Sequence, residues 1–180
     1  MKNLKKNVLV FVLFFGISLV LANENPVVTT TTSDPILVGE LKISDIEGFD
    51  WYTENYADYN PDLATVKSIA RLVQDKDLSI EIYFGTWCSD SQYGVPRLIK
   101  LLKVIDFDMD KVKLVGLDRD KVVPNVDEEK AKKLDIKMAP TFIFYEHRKE
   151  LNRFVEFARE TLEQDVLAIV SGDDYKHSYK

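Results

Sequence analysis

The sequence predicts an α/β fold, a mixed sheet flanked by helices on both faces. Three observations carry that reading. Between residues 60 and 117, segments of helical period alternate with short β-branched and aromatic runs, the order that parallel strands joined by helical crossovers require. "TFIFYE" and "LNRFVEF" then follow one another around His147-Arg148-Lys149, as in an antiparallel hairpin. The apolar share is 46% of 180 residues, enough for the core of one domain with some sequence to spare.

The elements follow in chain order. Asn23 to Val38 reads as a linker, because "TTTTSDP" has no period and little apolar surface to bury. Residues 39–59 form an N-terminal extension in which Phe49, Tyr52, Tyr56 and Tyr59 recur at roughly helical spacing, with Trp51 beside them. This is expected to be a helical arm packed on the domain; a wall of a substrate groove is the sharper alternative. "YNPDLATVKSIARLV" opens a helix, with Asn60 as the expected cap and Pro61 at the first helical position. Leu63, Val66, Ile69, Ala70 and Val73 make its apolar face. "LSIEIYF" is a strand, and Val95, Leu98, Ile99, Leu102 and Ile105 mark the next helix. "VKLVGLD" is a second buried strand and "DEEKAKKLDI" a short polar helix. "ETLEQDVLAIV" closes the domain as a helix, with Thr161 and Gln164 spaced as a capping box and Gly172 as its stop. The domain is thus expected over 60–171, with a tail at 172–180.

Residues 1–22 read as a secretory signal peptide. Lys2, Lys5 and Lys6 precede a 14-residue apolar run, Val8 to Leu21, which is short for a span of about 20 residues. Val20-Leu21-Ala22 supplies a small-residue cleavage pattern, and no cysteine stands near it to carry a lipid. The expectation is an exported protein, periplasmic or secreted, that touches a membrane only if this segment stays uncleaved. Loss of the three lysines would take the net charge from −6 to −9. Such acidity excludes the basic face of a nucleic-acid-binding protein.

Export makes the single cysteine, Cys88, informative, because exported proteins usually pair their cysteines. A lone thiol there is either buried and inert or reactive. Thr86, Ser89, Asp90 and Ser91 surround it, a polar neighbourhood unlike a core. It stands where a strand ends and a helix begins. N–H groups of a first helical turn, with the helix dipole, favour a thiolate, which is the nucleophile. Ser91 falls on the same side of that turn and is expected to donate to the sulfur, whereas the charge of Asp90 opposes ionisation.

Other chemistry is poorly supported. Asp106, Asp108 and Asp110 alternate like the start of a calcium loop, but Lys111 and Leu117 stand where that loop needs glycine and an acid. One cysteine and two scattered histidines give no zinc spacing. Neither a phosphate loop nor a Ser–His–Asp pattern can be read, so no metal and no cofactor are expected.

The stretch "FGTWCSDS" resembles the active site of the thioredoxin superfamily, whose usual form is Trp-Cys-Gly-Pro-Cys after a buried strand. Pro96, eight residues after Cys88, matches the proline that kinks the helix in that family. "MAPTFIFY" resembles its segment of a cis-proline followed by threonine and an apolar strand. The resemblance covers about residues 60 to 171. It implies a thioredoxin-like fold with an N-terminal aromatic helical extension, a catalytic Cys88 with Ser91, and a cis Ala139–Pro140 bond beside the sulfur. It also implies that Trp87, Asp90, Ala139, Pro140 and Thr141 support the site or bind a peptide substrate. Two departures matter: Ser91 replaces the resolving cysteine, and Ile82 stands where many thioredoxins carry a buried acid. The chain is similar to the variant with Trp-Cys-x-Asp-Ser at this place. The resemblance therefore implies a monothiol redox protein. It would act by thiol–disulfide exchange on a disulfide- or thiol-containing protein or a small thiol, reducing mixed disulfides or isomerising disulfides. The alternative from another class is a redox-inactive peptide-binding or chaperone-like module with the same fold.

Overall fold

A computed structural model describes residues 35–179; the signal-peptide reading of 1–22 and most of the linker lie outside the described residues. Five strands form one mixed sheet in the order β1-β3-β2-β4-β5: β1 (Gly39–Leu41), β2 (Leu78–Phe84), β3 (Val112–Gly116), β4 (Thr141–Glu146) and β5 (Lys149–Val155). The helices are α1 (Asp50–Asp58), α2 (Leu63–Gln74), α3 (Ser89–Val104), α4 (Glu128–Leu134) and α5 (Leu162–Ser171).

Strand β2 lies at the centre, parallel to β3 with Ile82 opposite Leu114, and antiparallel to β4 with Ile82 opposite Phe142. The parallel pair needs a crossover, and α3 provides it. The hairpin β4–β5 turns at His147 and Arg148, both at positive φ.

The period of two along each strand decides which face each side chain meets. From β2, Ile80, Ile82 and Phe84 enter the larger core with α1, α2, α3 and α5, while Tyr83 enters a smaller one with Val115, Leu134 and Ile143. From β4, Phe142 and Phe144 face the first and Ile143 the second. Phe142 stacks on Phe154 of β5 with centroids 5.0 Å apart. Full burial of side chains of this size is worth about 1.5–3 kcal/mol each, which makes the central strands the firmest part of the scaffold.

The structure corrects the sequence reading in three places. Residues 39–59 are not only a helical arm: Gly39–Leu41 pairs antiparallel with β3 and forms one edge of the sheet. Trp51, Tyr52 and Tyr59 are buried in the larger core, so α1 is part of the domain. The cap of α2 is Asp62, whose carboxylate accepts the Thr65 N–H at 2.8 Å; Asn60 lies too early and instead donates to the Asp58 carbonyl. The segment after Gly172 is no free tail, because the Tyr175 hydroxyl donates to buried Asp165 at 2.9 Å and Asn152 donates to the Tyr175 carbonyl. Thr161 caps α5 and Gly172 ends it at φ 81°. Among the described residues no helix is long and apolar enough to cross a membrane.

Candidate functional site

The sequence after β2 turns sharply before α3 begins, and that turn presents Cys88. Gly85 is required there: a Cβ would sit 2.5 Å from the Trp87 indole. The indole is fixed in turn by its Nε1–H, which donates to the Leu117 carbonyl at 3.0 Å beyond the end of β3. The Arg119 guanidinium lies 5.5 Å from the ring centroid. Cys88 N–H donates to the Gly85 carbonyl, and Gln92 N–H donates back to the Cys88 carbonyl at 2.9 Å, so the cysteine is the N-cap residue of α3.

Thr86, buried, ties this turn to the start of the described chain. Its hydroxyl donates to the Pro35 carbonyl at 2.9 Å and accepts the Leu37 N–H at 3.2 Å. The same segment crosses Gly116 so closely that a Cβ there would meet the Leu37 oxygen at 2.3 Å. Nothing in the composition of 35–37 signals this contact.

The Ala139–Pro140 bond is cis and lies across from the start of α3. The Cys88 Sγ–H donates to the Ala139 carbonyl at 3.1 Å. Gly94, on the face of α3 toward this loop, would place a Cβ 3.5 Å from both the Pro140 and Phe142 rings. Thr141 is buried, and its hydroxyl donates to the Met138 carbonyl at 2.7 Å. Thus Trp87, Cys88, Ala139, Pro140 and Thr141 converge at one end of the sheet.

Two expectations about the sulfur are corrected by this geometry. Cys88 makes no side-chain capping bond to the first-turn N–H groups; its sulfur turns toward Ala139 instead. Ser91 does not donate to the sulfur. It is fully buried, and its Oγ accepts the Gly85 N–H at 3.2 Å. A buried N–H needs a partner more than a half-exposed thiol does, and the tight turn offers it this one.

Asp90 is exposed in the first turn of α3. It lies near a carboxyl that no pattern of residues marks, that of Glu156, just past β5. Glu156 N–H donates to the Pro140 carbonyl at 2.7 Å, with the residue at φ 64°. Burial, and next the charge of Asp90, push the Glu156 carboxyl above the usual carboxylate range, while Lys121 acts the other way. The Tyr179 hydroxyl bonds to the same carboxyl, and its ring meets Phe157 edge-on. Tyr93 and Arg97, four residues apart on α3, also belong to this surface; the sequence reading missed both, and that spacing is the signal that could have found them. Among the described residues no cluster of histidine, cysteine and acids is arranged to hold a metal.

The sheet order, the crossover by α3 and the placement of the strand–Cys–helix turn opposite Ala139–Pro140 define a thioredoxin-like α/β fold. No protein-family model and no curated protein matches the sequence. Solved structures similar to it include a protein of unknown function from Pseudomonas aeruginosa, 17% identical with a TM-score of 0.48 over 68% of this chain and 80% of that one. The germline-specific thioredoxin Deadhead of Drosophila melanogaster is 22% identical with a TM-score of 0.33, over 50% of this chain and 76% of its own. Thioredoxin f2 of Chlamydomonas reinhardtii is 20% identical with a TM-score of 0.37, over 59% and 89%.

Proposed function

We propose that this is an exported monothiol thioredoxin-like protein that exchanges disulfides through Cys88. The observation that carries the reading is the position of the thiol: half-buried at the N-cap of α3, with its Sγ 3.1 Å from the backbone carbonyl next to Pro140. A disulfide laid along that loop meets the sulfur.

The chemistry balances with one cysteine. The Cys88 thiolate attacks one sulfur of a disulfide; a bond forms between them, the S–S bond breaks, and the other half leaves as a thiolate that takes up a proton. A second thiol then attacks the mixed disulfide, restores Cys88 and ends in the new disulfide. If the second thiol is a small molecule, a mixed disulfide is reduced; if it belongs to the substrate, a disulfide is isomerised. Trp87 and Thr141 hold the two backbone segments that frame the sulfur, and Ser91 secures the turn beneath it.

A second reading, a redox-inactive peptide-binding module, has one observation on its side: the Ala139 carbonyl already accepts the thiol proton, an arrangement suited to an unreacting cysteine. Reaction with an aromatic disulfide separates the two. Exchange at Cys88 in the native protein is expected to be faster than in the same chain unfolded in urea. A native rate below the unfolded one overturns the redox reading.

A further inference from the structure

A cleft of about 410 Å³ opens between the first half of α3, the end of α1 and the segment that joins β5 to α5; Cys88 does not line it, but Asp90 of the same helical turn does. That volume is in the range of sites that hold a ligand or an inserted side chain. Its position relative to the thiol is fixed from two sides. Asp90, on one wall, belongs to the helical turn that Cys88 caps. Glu156, on the other, is bonded through its N–H to the Pro140 carbonyl, one residue from the carbonyl that meets the sulfur.

The lining combines two kinds of surface. Tyr93 and Phe157 are large aromatic side chains left 55% and 53% exposed. Among the described residues the charged lining is one-sided: Asp58, Asp90, Glu156, Glu160 and Glu163 against the cation Arg97. Glu163 is already satisfied, accepting from the Tyr59 hydroxyl at 2.9 Å and the Asp62 N–H at 3.1 Å. Arg97 neutralises none of the others. Its Nη1 donates to the Tyr93 hydroxyl at 2.7 Å, its guanidinium lies 3.6 Å from that ring's centroid, and it forms no ion pair among the described residues. Asp90 and Glu156 are left as neighbouring carboxyls at the thiol end, with Lys121 nearby and the Tyr179 hydroxyl on Glu156. Carboxylates beside partly exposed aromatic side chains are complementary to a cationic side chain, whose alkyl stem packs on the exposed part of a ring while its charge meets the acids.

We propose that this cleft selects the substrate of the exchange reaction ascribed to Cys88, the reading on which the inference rests. Its occupant is a polypeptide segment carrying lysine or arginine within a few residues of the cysteine under attack. The basic side chain enters between Asp90 and Glu156, Tyr93 and Phe157 flank it, and the segment's sulfur comes to Cys88. A segment with acids at that place meets like charge and is rejected.

Three peptides of one sequence test this, with Lys, Gln or Glu two residues from their only cysteine, each activated as a mixed disulfide with an aromatic thiol. Exchange with the whole mature protein is followed by release of that thiol at low salt and at about 0.5 M salt, where the screening length falls to a few ångströms. The lysine peptide is expected to react about tenfold faster than the glutamate peptide at low salt, the glutamine peptide falling between, with the spread collapsing at high salt. In Asp90→Asn/Glu156→Gln the ratio is expected to fall to about twofold or less. Equal rates for all three peptides, or a faster glutamate peptide, overturn the proposal. The cleft is tested apart from the chemistry in Cys88→Ser, with labelled peptides bearing serine in place of cysteine and binding read by fluorescence anisotropy. Tighter binding of the lysine peptide supports the cleft even if Cys88 proves unreactive. No preference there, beside normal exchange in the parent, rejects the cleft and leaves the redox reading standing.

Discussion

Ser91→Ala isolates the turn that holds the thiol. The substitution removes the Oγ that accepts the Gly85 N–H at 3.2 Å and little else, since Ser91 is 0% exposed and an alanine methyl fills most of its space. The loss is therefore not a cavity but a stranded donor. A buried N–H left without a partner costs about 1–3 kcal/mol. The parent bond lies at the long end of the usual range of about 2.7–3.2 Å, which puts the loss in the lower part, about 1–2 kcal/mol. For a domain of this size each kcal/mol moves Tm by about 2–4 °C, so a fall of about 2–8 °C is expected. Thermal and urea unfolding of Ser91→Ala beside exposed Ser89→Ala gives the measurement, with the second variant expected within about 0.5 kcal/mol of the parent. A Ser91→Ala protein as stable as Ser89→Ala would refute the argument, because Gly85 would then not depend on Ser91.

Four further outcomes are expected. Gly116→Ala drives a Cβ into the Leu37 carbonyl, a backbone atom that cannot rotate aside, so residues 35–41 should lift from the sheet edge. Amide exchange at Leu37 and Leu41 should rise, with about 1–3 kcal/mol lost. In Ser91→Cys the new thiol sits one turn along α3 from Cys88; it should expel a small-thiol adduct and leave an internal disulfide, slowly, because Ile82 offers no proton acceptor. Burial pushes the Glu163 carboxyl up, but hydrogen bonds from the Asp62 N–H, its own N–H and the Tyr59 and Thr161 side chains outweigh it and hold the group below the usual range. A carboxyl depressed on folding stabilises above its unfolded value of about 4.3 and loses that contribution as pH falls through the folded value. The stability advantage of the parent over Glu163→Gln, read by urea unfolding, should therefore be present at about pH 6 and shrink toward about pH 3. Finally, N-terminal sequencing of protein from its native host should begin at Asn23.

The parts of the fold legible in the sequence are those with repeated periodicity. Leu78–Phe84 is rich in β-branched and aromatic residues and alternates as far as Ile82, Val95 to Leu102 recurs at helical spacing, and Thr161 and Gly172 punctuate α5, so each reads correctly from local residues. Strand β1 has three residues and no alternation; only its pairing with β3 makes it a strand. The α2 cap is not legible because Asn60 and Asp62 are both good caps two residues apart, and the choice depends on which one faces the Thr65 N–H. At the site, Cys88 and Pro140 stand out as residue types. Glu156 and Phe157 do not, because they reach the cleft only through the return of β5, and Tyr179 is brought onto both only by the packing of the final residues. Ser91 is marked by its spacing from Cys88, but its partner, Gly85, is set by a turn no periodicity describes.

Folded Cys88 is proposed to exchange with disulfides and to have no internal means of release. The direct measurement is intact mass after incubation with hydroxyethyl disulfide, first in the native protein and then after adding a second thiol. One mercaptoethanol adduct per chain is expected, located at Cys88, stable after the reagent is removed and released by the added thiol. A native protein that stays unmodified while the urea-unfolded chain takes up the adduct would contradict it and leave the peptide-binding module as the reading.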